Sequence, residues 1–269
     1  YDVEAAALGS GGIAVEARLW TDTGDLGQFD IVLPLVAWGY QSNPERWFAL
    51  LERFEREGWL VANPVPVLRW NSHKAYLEEL GAKGIATVPT RLVDALDDDA
   101  LGAARRDFGP ELVIKPPISA SAYGTFRLGP KNPLPDAARG REMMVQPFLQ
   151  SVMDEGEYSL IYFNGVFSHA IVKRAKSGDY RVQPHLGGTE VPCNPPEGAM
   201  AVAEAALAAA PEPPVYARVD LIRLDDGRLA VIELELIEPS FWLQHAPDKG
   251  ASFAAAVLDY ARQQELAQR

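Results

Sequence analysis

The sequence predicts an α/β domain at the N-terminus, followed by a region rich in antiparallel hairpins. The nearly continuous apolar run over residues 30–37 is typical of a buried parallel strand. An amphipathic helix over residues 44–57 and a short strand over residues 60–64 complete a β-α-β alternation. Further along the chain, Asn164-Gly165 and Asp226-Gly227 each separate two alternating segments, which is the strongest short-range signal for a hairpin.

The residues around this β-α-β unit continue the α/β pattern. Residues 2–8 predict a helix and residues 13–19 a strand; because such a unit opens with a strand, the first strand is expected to lie before Tyr1. Trp38 and Tyr40 follow the apolar run at the end where open α/β sheets bind ligands. They are therefore candidate substrate contacts, and packing in the core is the alternative interpretation.

Two lysines occupy positions that suggest anion binding. Lys74 lies in the first turn of a helix predicted over residues 73–80, where the helix dipole disfavours a cation unless an anion is bound there. Lys115 closes an apolar strand over residues 111–117, directly before a loop of small residues at 119–126. Backbone N–H groups of such a loop can approach phosphates. A solvated lysine and an ordinary flexible loop are the alternatives.

The remaining elements follow from apolar patterning. Strands are predicted over residues 87–93, 143–149, 157–163 and 166–173, and helices over residues 198–209 and 250–268. Lys173 and Arg181 concentrate positive charge in an otherwise acidic chain. For Lys173, an exposed strand end that discourages edge pairing is the alternative.

The second hairpin determines which charged side chains lie together. Asp226 and Gly227 are a favoured pair for the two central residues of a type I′ turn. The register set by this turn gives three facing pairs: Leu224 with Leu229, Asp220 with Glu233, and Arg218 with Glu235. Because side chains alternate along a strand, the charged residues share one face and the apolar residues share the other: Val219, Leu221, Ile232, Leu234 and Leu236.

The charged face of this hairpin leaves two interpretations open. Directly opposed like charges repel each other, and a Mg²⁺ ion would relieve the repulsion between Asp220, Glu233 and Glu235. A solvated polar face with an ion pair between Arg218 and Glu235 explains the same pattern.

Composition excludes several classes of protein. The chain has 269 residues, of which 48% are apolar and 23% charged, as in ordinary globular proteins. A net charge of −12 argues against general nucleic-acid binding. The single cysteine, Cys193, excludes an intramolecular disulfide and fits a reducing cytoplasm. No apolar run approaches the roughly 20 residues of a membrane span, so we expect a cytoplasmic protein that binds neither membranes nor nucleic acid.

In their order along the chain, these segments resemble the ATP-grasp superfamily, in the branch of glutathione synthetase and the ribosomal-S6-modification enzymes. The motifs cover nearly the whole sequence: Asn-Ser-His-Lys at Lys74, Val-Ile-Lys-Pro at Lys115, Val-Gln-Pro-Phe-Leu, Gly-Glu-Tyr-Ser-Leu at Glu157, Ser-Gly-Asp-Tyr, His-Leu-Gly-Gly, Arg-Val-Asp and Glu-Leu-Glu. Leu-Arg-Trp-Asn, Gln-Pro-Phe and Glu-Leu-Ile-Glu-Pro-Ser are similar to the cycloserine-forming cyclo-ligases of that superfamily.

The resemblance implies a fold and a set of binding residues. It implies an α/β N-terminal (pre-ATP-grasp) domain over residues 1–72, and an α+β ATP-grasp fold of two lobes over residues 73–145 and 146–269, with ATP between the lobes. It assigns the nucleotide to these residues: Lys74 and Lys115 at the phosphates, Ser119, Ser121, Tyr123 and Gly124 in the closing loop, Gln146, Pro147, Phe148 and Leu149 beside adenine, and Glu157 at the ribose.

The resemblance also implies the metal ligands and the catalytic residues. Asp220, Glu233 and Glu235 would hold two Mg²⁺ ions, with Mn²⁺ as an alternative ion. Arg218, Lys173 and Arg181 would be catalytic, facing the reacting carboxylate and the transferred phosphate. The chain departs from the family at Glu235, where asparagine is usual, and at Pro147, where an acidic residue is common.

The implied chemistry is activation of a small-molecule carboxylate as an acyl phosphate, followed by attack of an amine. An intramolecular cyclo-ligase, a small-molecule kinase and a nucleotide-binding module without catalysis are the alternatives. Substrate specificity is expected from Trp38, Tyr40, Arg181 and the residues around Phe241 and Trp242, for which core packing is the competing interpretation. Dimers are common among such enzymes, so a homodimer is the assembly to test.

Overall fold

The computed structural model describes residues 1–120, 122–176, 178–182 and 187–267. Its N-terminal region contains α1 (Asp2–Ser10), α2 (Pro44–Glu57), α3 (Val65–Asn71), α4 (Tyr76–Ala82) and a 3-10 helix at Tyr40–Ser42. The prediction of α2 is confirmed, and local chemistry explains both of its ends. Asn43 Oδ1 accepts a hydrogen bond from the Arg46 N–H, and Gly58 ends the helix in the left-handed conformation.

The strands predicted in the N-terminal region are largely wrong. Residues 13–19 and 30–37 form no ladder within the described residues, apart from isolated bridges that join Leu19 to Asp22 and Val32 to Val61. The second bridge is parallel, as predicted for this alternation, but it extends over one residue pair. Pro34 lacks an N–H group and interrupts the run, which explains why the ladder does not extend.

The helix predicted after Ser72 is displaced. Ser72 follows the unpredicted helix α3, and its Oγ donates to the carbonyl of Leu68 at 2.7 Å while accepting from the Trp47 indole at 2.7 Å. Helix α4 begins only at Tyr76, so Lys74 lies before the helix and not in its first turn. The helix-dipole argument for Lys74 therefore does not hold.

The first sheet has the strand order β1-β4-β2-β3, and all of its pairings are antiparallel. Its strands are β1 (Arg91–Val93), β2 (Leu112–Lys115), β3 (Phe126–Leu128) and β4 (Met143–Pro147). The predictions of β2 and β4 are confirmed, while β3 was not predicted. Helix α5 (Asp98–Phe108) was missed in an Ala-rich acidic segment; Leu101 and Ala104 pack into the core of this sheet.

The second sheet has the order β7-β6-β5-β8-β9 and is also antiparallel. Its strands are β5 (Glu157–Phe163), β6 (Val166–Arg174), β7 (Thr189–Cys193), β8 (Tyr216–Arg223) and β9 (Leu229–Glu235), and the helices of this part are α6 (Ser151–Asp154), α7 (Ala199–Ala208) and α8 (Ala251–Ala267). The Asn164-Gly165 hairpin between β5 and β6 is confirmed. The main core lies between this sheet, α4 and α7.

A β-bulge sets the register of the β8–β9 hairpin. Near the turn, Arg223 and not Leu224 faces Leu229, so the predicted two-residue turn is wrong. The register then shifts between Leu221, which faces Val231, and Asp220, which faces Glu233. The inserted residue is Ile232, and it restores the predicted pairing of the charged residues. Ile232 consequently leaves the core face to which the prediction assigned it.

Strand β9 lies at the edge of its sheet, and the N-terminal region covers that edge. The segment around Thr87 bridges Val231 in parallel. Beyond it, side chains replace a neighbouring strand: the Asn71 amide donates to the Leu234 carbonyl and accepts from the Leu236 N–H, both at 2.9 Å. The amide of Asn63 donates to the Leu236 carbonyl at 2.8 Å. The N-terminal region is thus joined to the sheet through strand-like hydrogen bonds. The predicted division at residues 72 and 145 stays a prediction.

Candidate functional site

A cavity of about 470 Å³ lies between the two sheets and the loop that precedes the Tyr40–Ser42 helix. Most of the predicted site residues line it: Lys74, Lys115, Ser119, Gln146, Pro147, Phe148, Leu149, Glu157, Lys173, Arg181, Arg218, Asp220, Glu233 and Glu235. Tyr123 and Gly124 do not line it, and the Tyr123 side chain is 64% exposed. Ser121 and His185, the first residue of the His-Leu-Gly-Gly motif, lie outside the described residues. We call this cavity the central pocket.

Asp220 is at the centre of the charges on strand β8. Its Oδ1 accepts hydrogen bonds from Ser159 Oγ at 2.6 Å and Arg218 Nε at 3.0 Å. Its Oδ2 accepts from Lys173 Nζ at 2.8 Å and the Arg218 guanidinium at 3.0 Å. Burial alone would raise the pKa of Asp220, but Arg218 and Lys173 outweigh it and hold the pKa far below its ordinary value. Asp220 is therefore ionised and holds both cations in place.

The cations beside Asp220 each reach a second carboxylate. Lys173 also pairs with Glu157, and Arg218 also pairs with Glu235. Burial raises the pKa of Glu157 and of Glu235 to about 7, against the attraction of these cations. The cluster thus contains more buried carboxyl groups than its cations fully compensate. The protonation of Glu157 and Glu235, and with it the net charge of the cluster, will therefore depend on the charge of a ligand in the central pocket.

The second group of charges connects the two sheets. Lys74 Nζ donates to the Ser119 carbonyl at 2.5 Å and pairs with Glu233 Oε1 at 3.1 Å. Lys115 lies at the end of β2, and its ammonium group makes no hydrogen bond or ion pair to any other described residue. Burial lowers the pKa of Lys115, although the charge of Glu233 opposes that shift. The Lys115 ammonium group therefore has no anionic partner here, and an anionic ligand could supply one.

An apolar slot opens beside these charges. It is formed by residues from both sheets and the hinge between them: Val88, Val113, Phe148, Leu149, Val152, Ile222 and Ile232. The Phe148 N–H donates to the Glu111 carbonyl at 2.9 Å, and the Gln146 amide donates to Thr90 Oγ1 at 2.9 Å. The Leu149 N–H has no such partner within the part of the chain described. It is therefore the hinge donor that a flat heterocycle could reach.

Trp242 closes another side of the central pocket. Its backbone has a φ of 49°, an uncommon conformation for a bulky residue. This turn places the indole ring 5.1 Å from the Arg218 guanidinium carbon, while the indole N–H donates to Glu190 Oε2 at 2.7 Å. Phe241, its neighbour, is fully buried in the core. Of the two aromatic residues singled out here, Trp242 thus lies at the site and Phe241 supports the fold.

Arg181 also lines the central pocket, but it is held by its own loop. Its guanidinium pairs with Asp179 at 2.8 Å, and the Asp179 carboxylate also accepts from the Arg181 N–H at 3.0 Å. In this conformation Arg181 has a carboxylate partner, in contrast to Lys115.

Sequence reasoning gave no role to several residues that line the central pocket: Gln41, Asn71, Glu190 and Glu238. The only signal for Glu238 was its place in the Glu-Leu-Ile-Glu-Pro-Ser segment. Gln41 and Asn71 come from the N-terminal region, far from the second sheet in sequence. Their approach to β9 depends on tertiary packing that no local pattern encodes.

The carboxylates provide hard oxygen donors of the kind that Mg²⁺ prefers. Among the described residues, no three acidic or cysteine or histidine side chains converge as a ready metal cluster. Glu233 and Glu235 line the central pocket together, and each raises the pKa of nearby carboxyl groups, so a divalent cation would relieve their repulsion. Asp220 already accepts hydrogen bonds at about the four lone-pair sites of a carboxylate. The residues fit a metal at Glu233 and Glu235, with Asp220 beside it.

No helix in the described ranges combines the length and the apolar character that crossing a bilayer requires.

Known proteins resemble this chain both in sequence and in fold. Residues 2–63 match the family model of the N-terminal domain of D-cycloserine synthetase DcsG. The chain is 34% identical over 270 residues to the cycloserine biosynthesis protein DcsG of Streptomyces lavendulae, covering 92% of this chain and 89% of that protein. The crystal structure of D-cycloserine synthetase DcsG has a TM-score of 0.85 at 31% identity, over 97% of this chain and 94% of the other. The ATP-grasp ligase PsnB, in complex with minimal precursor, Mg and ADP, has a TM-score of 0.64 at 14% identity over 97% and 94% of the two chains.

Proposed function

Because this chain belongs to the DcsG family of ATP-grasp ligases, we propose that it uses ATP to join a small-molecule carboxylate to an amine. We further propose that both groups belong to one amino-acid-like molecule, so that the product is a ring of the D-cycloserine type. The relatives named for cycloserine support this choice, since the likeness to them extends over 92% of the chain.

The apolar slot of the central pocket suits the adenine ring. Phe148 and Leu149 would contact the ring, and the unpaired Leu149 N–H would donate to it. Glu157 would accept hydrogen bonds from the ribose hydroxyls, and Lys74 and Lys115 would bind the phosphates. The support for Lys115 is the absence of any other anionic partner among the residues described. Closure of the loop containing Ser119, Ser121, Tyr123 and Gly124 over the phosphates stays a prediction.

Mg²⁺ would be held by Glu233 and Glu235, which share the wall of the pocket nearest Lys74 and Arg218. When bound, Mg²⁺ neutralises phosphate charge during transfer. Asp220 as a third ligand, two Mg²⁺ ions in place of one, and Mn²⁺ as an alternative ion all stay predictions. In the conformation described, Asp220 instead orients Lys173 and Arg218.

The reaction would proceed in two steps. A substrate carboxylate oxygen attacks the γ-phosphorus of ATP, the bond to the β-phosphate oxygen breaks, and ADP leaves. The amine nitrogen then attacks the acyl carbon, the bond to the phosphate-bearing oxygen breaks, and the nitrogen loses a proton. Arg218 and Lys173 would stabilise the negative charge that develops on the carbonyl and phosphoryl oxygens. Arg181 would contact the transferred phosphate after leaving Asp179.

The observation that carries this proposal is the convergence of three kinds of surface in one cavity. An apolar slot, an unpaired lysine and a carboxylate pair open into the central pocket, which is the arrangement that a Mg-bound nucleotide requires. Binding and positioning supply most of the catalysis in such a reaction, so no nucleophilic side chain is needed.

The test is a turnover assay with the purified protein, Mg²⁺, ATP and a panel of amino-acid derivatives that include open-chain precursors of cycloserine. We expect ADP and phosphate in equal amounts, released only when the correct substrate is present. Mass spectrometry should show one product with the mass of the substrate less one water, as ring closure requires. A product that joins two substrates would instead show intermolecular ligation.

Two other outcomes would contradict the proposal. A phosphorylated product that persists without loss of phosphate would identify a kinase. ATP binding without substrate-dependent ADP release across the panel would identify a nucleotide-binding module.

A homodimer and a cytoplasmic location are separate predictions, which light scattering of the purified protein and fractionation of the producing cells would test.

A further inference from the structure

Glu238 stands apart from the other charged residues of the central pocket. Lys74, Lys173, Arg181 and Arg218 all have carboxylate partners. Across the described ranges, Glu238 makes no hydrogen bond or ion pair, although it lines the pocket and is only half-buried. The proposed function places anions against Lys115 but gives Glu238 no role.

The backbone holds Glu238 firmly at the pocket wall. It follows β9 directly after Leu236 and Ile237, which are 0% and 2% exposed. Pro239, the next residue, is also buried. These buried neighbours on both sides fix the backbone of Glu238 beside the cavity. Burial and the charge of Glu235 raise the pKa of Glu238 to about 8, so a positive group beside it would be stabilised.

A second acceptor without a partner lies in the same wall. Gln41 lines the central pocket, and its Oε1 is buried without a hydrogen bond among the described residues. An unpaired buried acceptor is destabilising, so native structures seldom retain one unless something binds it. Tyr40, beside Gln41, and Ile237, beside Glu238, belong to the same core cluster, so Glu238 and this 3-10 helix lie on the same side of the central pocket.

We propose that Glu238 and Gln41 form a subsite for the amino group of the substrate. An ammonium group is a compact cation with three N–H donors, and it would satisfy a carboxylate and an amide oxygen together. This inference rests on the proposed function and names its substrate class, an amino-acid derivative with a free primary amine that does not react. The reacting acyl group would lie toward Arg218 and the amine toward the N-terminal region.

In this subsite, residues outside the two sheets determine the selectivity for an amine-bearing substrate. Glu238 binds the amine by charge, and Gln41 adds an acceptor from the N-terminal region. A ligand of the same shape without the amine would leave both acceptors buried and unpaired. Sites of this kind reject such analogues strongly, because the protein groups lose their partners.

Calorimetry with a matched pair of ligands tests the proposal. D-cycloserine and the same ring without its amino group, isoxazolidin-3-one, are titrated into the full chain saturated with Mg·ADP. We expect the wild-type protein to prefer the amine-bearing ring by at least about 10-fold. Glu238→Gln should lower affinity for D-cycloserine by roughly 10- to 100-fold and leave that for the other ring within about twofold. Gln41→Leu should show a smaller loss of the same kind.

Glu190→Gln is the matched control. It removes one carboxylate from the same pocket, but that carboxylate already accepts from Trp242. This variant should keep the preference for the amine, because the effect depends on Glu238 and not on the total pocket charge. Unchanged affinity of Glu238→Gln for Mg·ADP would show that its fold and nucleotide site are intact.

The outcomes separate the inference from the function on which it rests. A Glu238→Gln protein that retains the wild-type preference overturns the subsite and leaves the ligase activity untouched. A wild-type protein that neither turns over nor binds any amino-acid derivative overturns the proposed function together with the subsite. If Glu238→Gln loses Mg·ADP binding, Gln41→Leu takes its place, and an undiminished preference for the amine in that variant overturns the subsite.

Discussion

Asp220 is almost fully buried, yet it positions the charged side chains of the central pocket. Its side chain is only 1% exposed and accepts hydrogen bonds from Ser159, Lys173 and Arg218. Asp220→Asn removes the carboxylate that two buried cations share. Glu157 and Glu235 remain as their partners, so the cost should stay below that of a wholly uncompensated buried charge, at about 2–3 kcal/mol. We expect a loss of this size in the free energy of unfolding, measured by urea denaturation.

Ser159→Ala is the control for this variant. It removes one neutral donor to Asp220 Oδ1 and leaves both cations paired, so we expect a loss of only about 1 kcal/mol. Equal losses in the two variants would contradict the view that charge, and not hydrogen-bond number, makes Asp220 important.

Glu233 is expected to matter for turnover more than for stability. It lies at the pocket wall, where Lys74 is its ion-pair partner and Mg²⁺ its proposed ligand. Glu233→Gln should lower substrate-dependent ADP release by at least about 100-fold, because stabilisation of phosphoryl charge is lost. Circular dichroism should show an unchanged fold, and Glu142→Gln at an exposed site should retain full activity. Normal turnover in the Glu233 variant would remove the metal assignment.

The charged residues of the hairpin were predicted in the correct pairs only because the bulge at Ile232 offsets the one-residue error in the predicted turn. The partners of those pairs could not be predicted. Ser159 and Lys173 reach Asp220 from neighbouring strands β5 and β6, and strand order is not encoded in either hairpin. Glu238 escaped notice because an isolated glutamate before a proline carries no pattern of its own.

Among the elements, the turn before β5 tolerates only glycine. Gly156 has a φ of 101°, and a Cβ atom there would lie 2.3 Å from the Lys173 carbonyl oxygen. Gly156→Ala therefore combines an unfavourable backbone conformation, about 1–2 kcal/mol, with a steric clash of about 1–3 kcal/mol. We expect urea denaturation to show a loss of roughly 2–5 kcal/mol, together with weaker Mg·ATP binding because the clash displaces Lys173.

Gly165 provides the matched comparison for this element. It has a similar positive φ of 73° in the β5–β6 turn, but nothing lies within 4 Å of the position of a Cβ atom. Gly165→Ala should cost only the backbone part, about 1–2 kcal/mol, and should leave Mg·ATP binding unchanged. Equal effects in the two variants would show that packing against Lys173 is unimportant.

Elements with strong periodicity were predicted well, and those held by tertiary contacts were not. Helix α2 and the β5–β6 hairpin follow from capping, spacing and turn residues. The bulge at Ile232 does not, because a two-residue turn was the simplest interpretation of Asp226-Gly227, and that turn needs no bulge to pair the charged residues. The apolar run at 30–37 suggested a strand, but an apolar run only predicts burial, and Pro34 limits pairing.

At the scale of the whole molecule, the buried carboxyl groups predict how stability depends on pH. Glu238 has a folded pKa of about 8, above the unfolded value of roughly 4.3. Between these values the folded state binds more protons, so the free energy of unfolding decreases as pH rises. Above pH 7, where Glu157 and Glu235 have passed their pKa of about 7, Glu238 should dominate the slope.

Urea denaturation of the ligand-free protein between pH 7 and 8 measures this slope, which cannot exceed about 1.4 kcal/mol per pH unit for one group. Lys74 and Arg218 oppose the shift of Glu238, while Glu235 and Glu233 increase it. In Glu238→Gln the decrease should be smaller than in the wild-type protein. Identical slopes would contradict a raised pKa for Glu238.

The order of the sheets, and the placement of ATP between them, came from the resemblance to a family and not from any local pattern. Composition and charge excluded classes of protein, and hairpins indicated antiparallel pairing. Neither could predict that β1 and β4 pair across the 49 residues that separate Val93 from Met143, since loop closure over such distances is decided by the whole core.

Solubility is a further property that depends on the covered edge of strand β9. An uncovered strand edge is a template on which a second copy of the chain can pair. Asn71→Leu would remove the hydrogen bonds to the Leu234 carbonyl and from the Leu236 N–H, leaving this part of the edge to the bonds of Tyr76 and Asn63 alone. We expect this variant to aggregate at concentrations where the wild-type protein stays dispersed, as measured by light scattering. The asparagine that joins two regions of one molecule would then also keep separate molecules from joining each other.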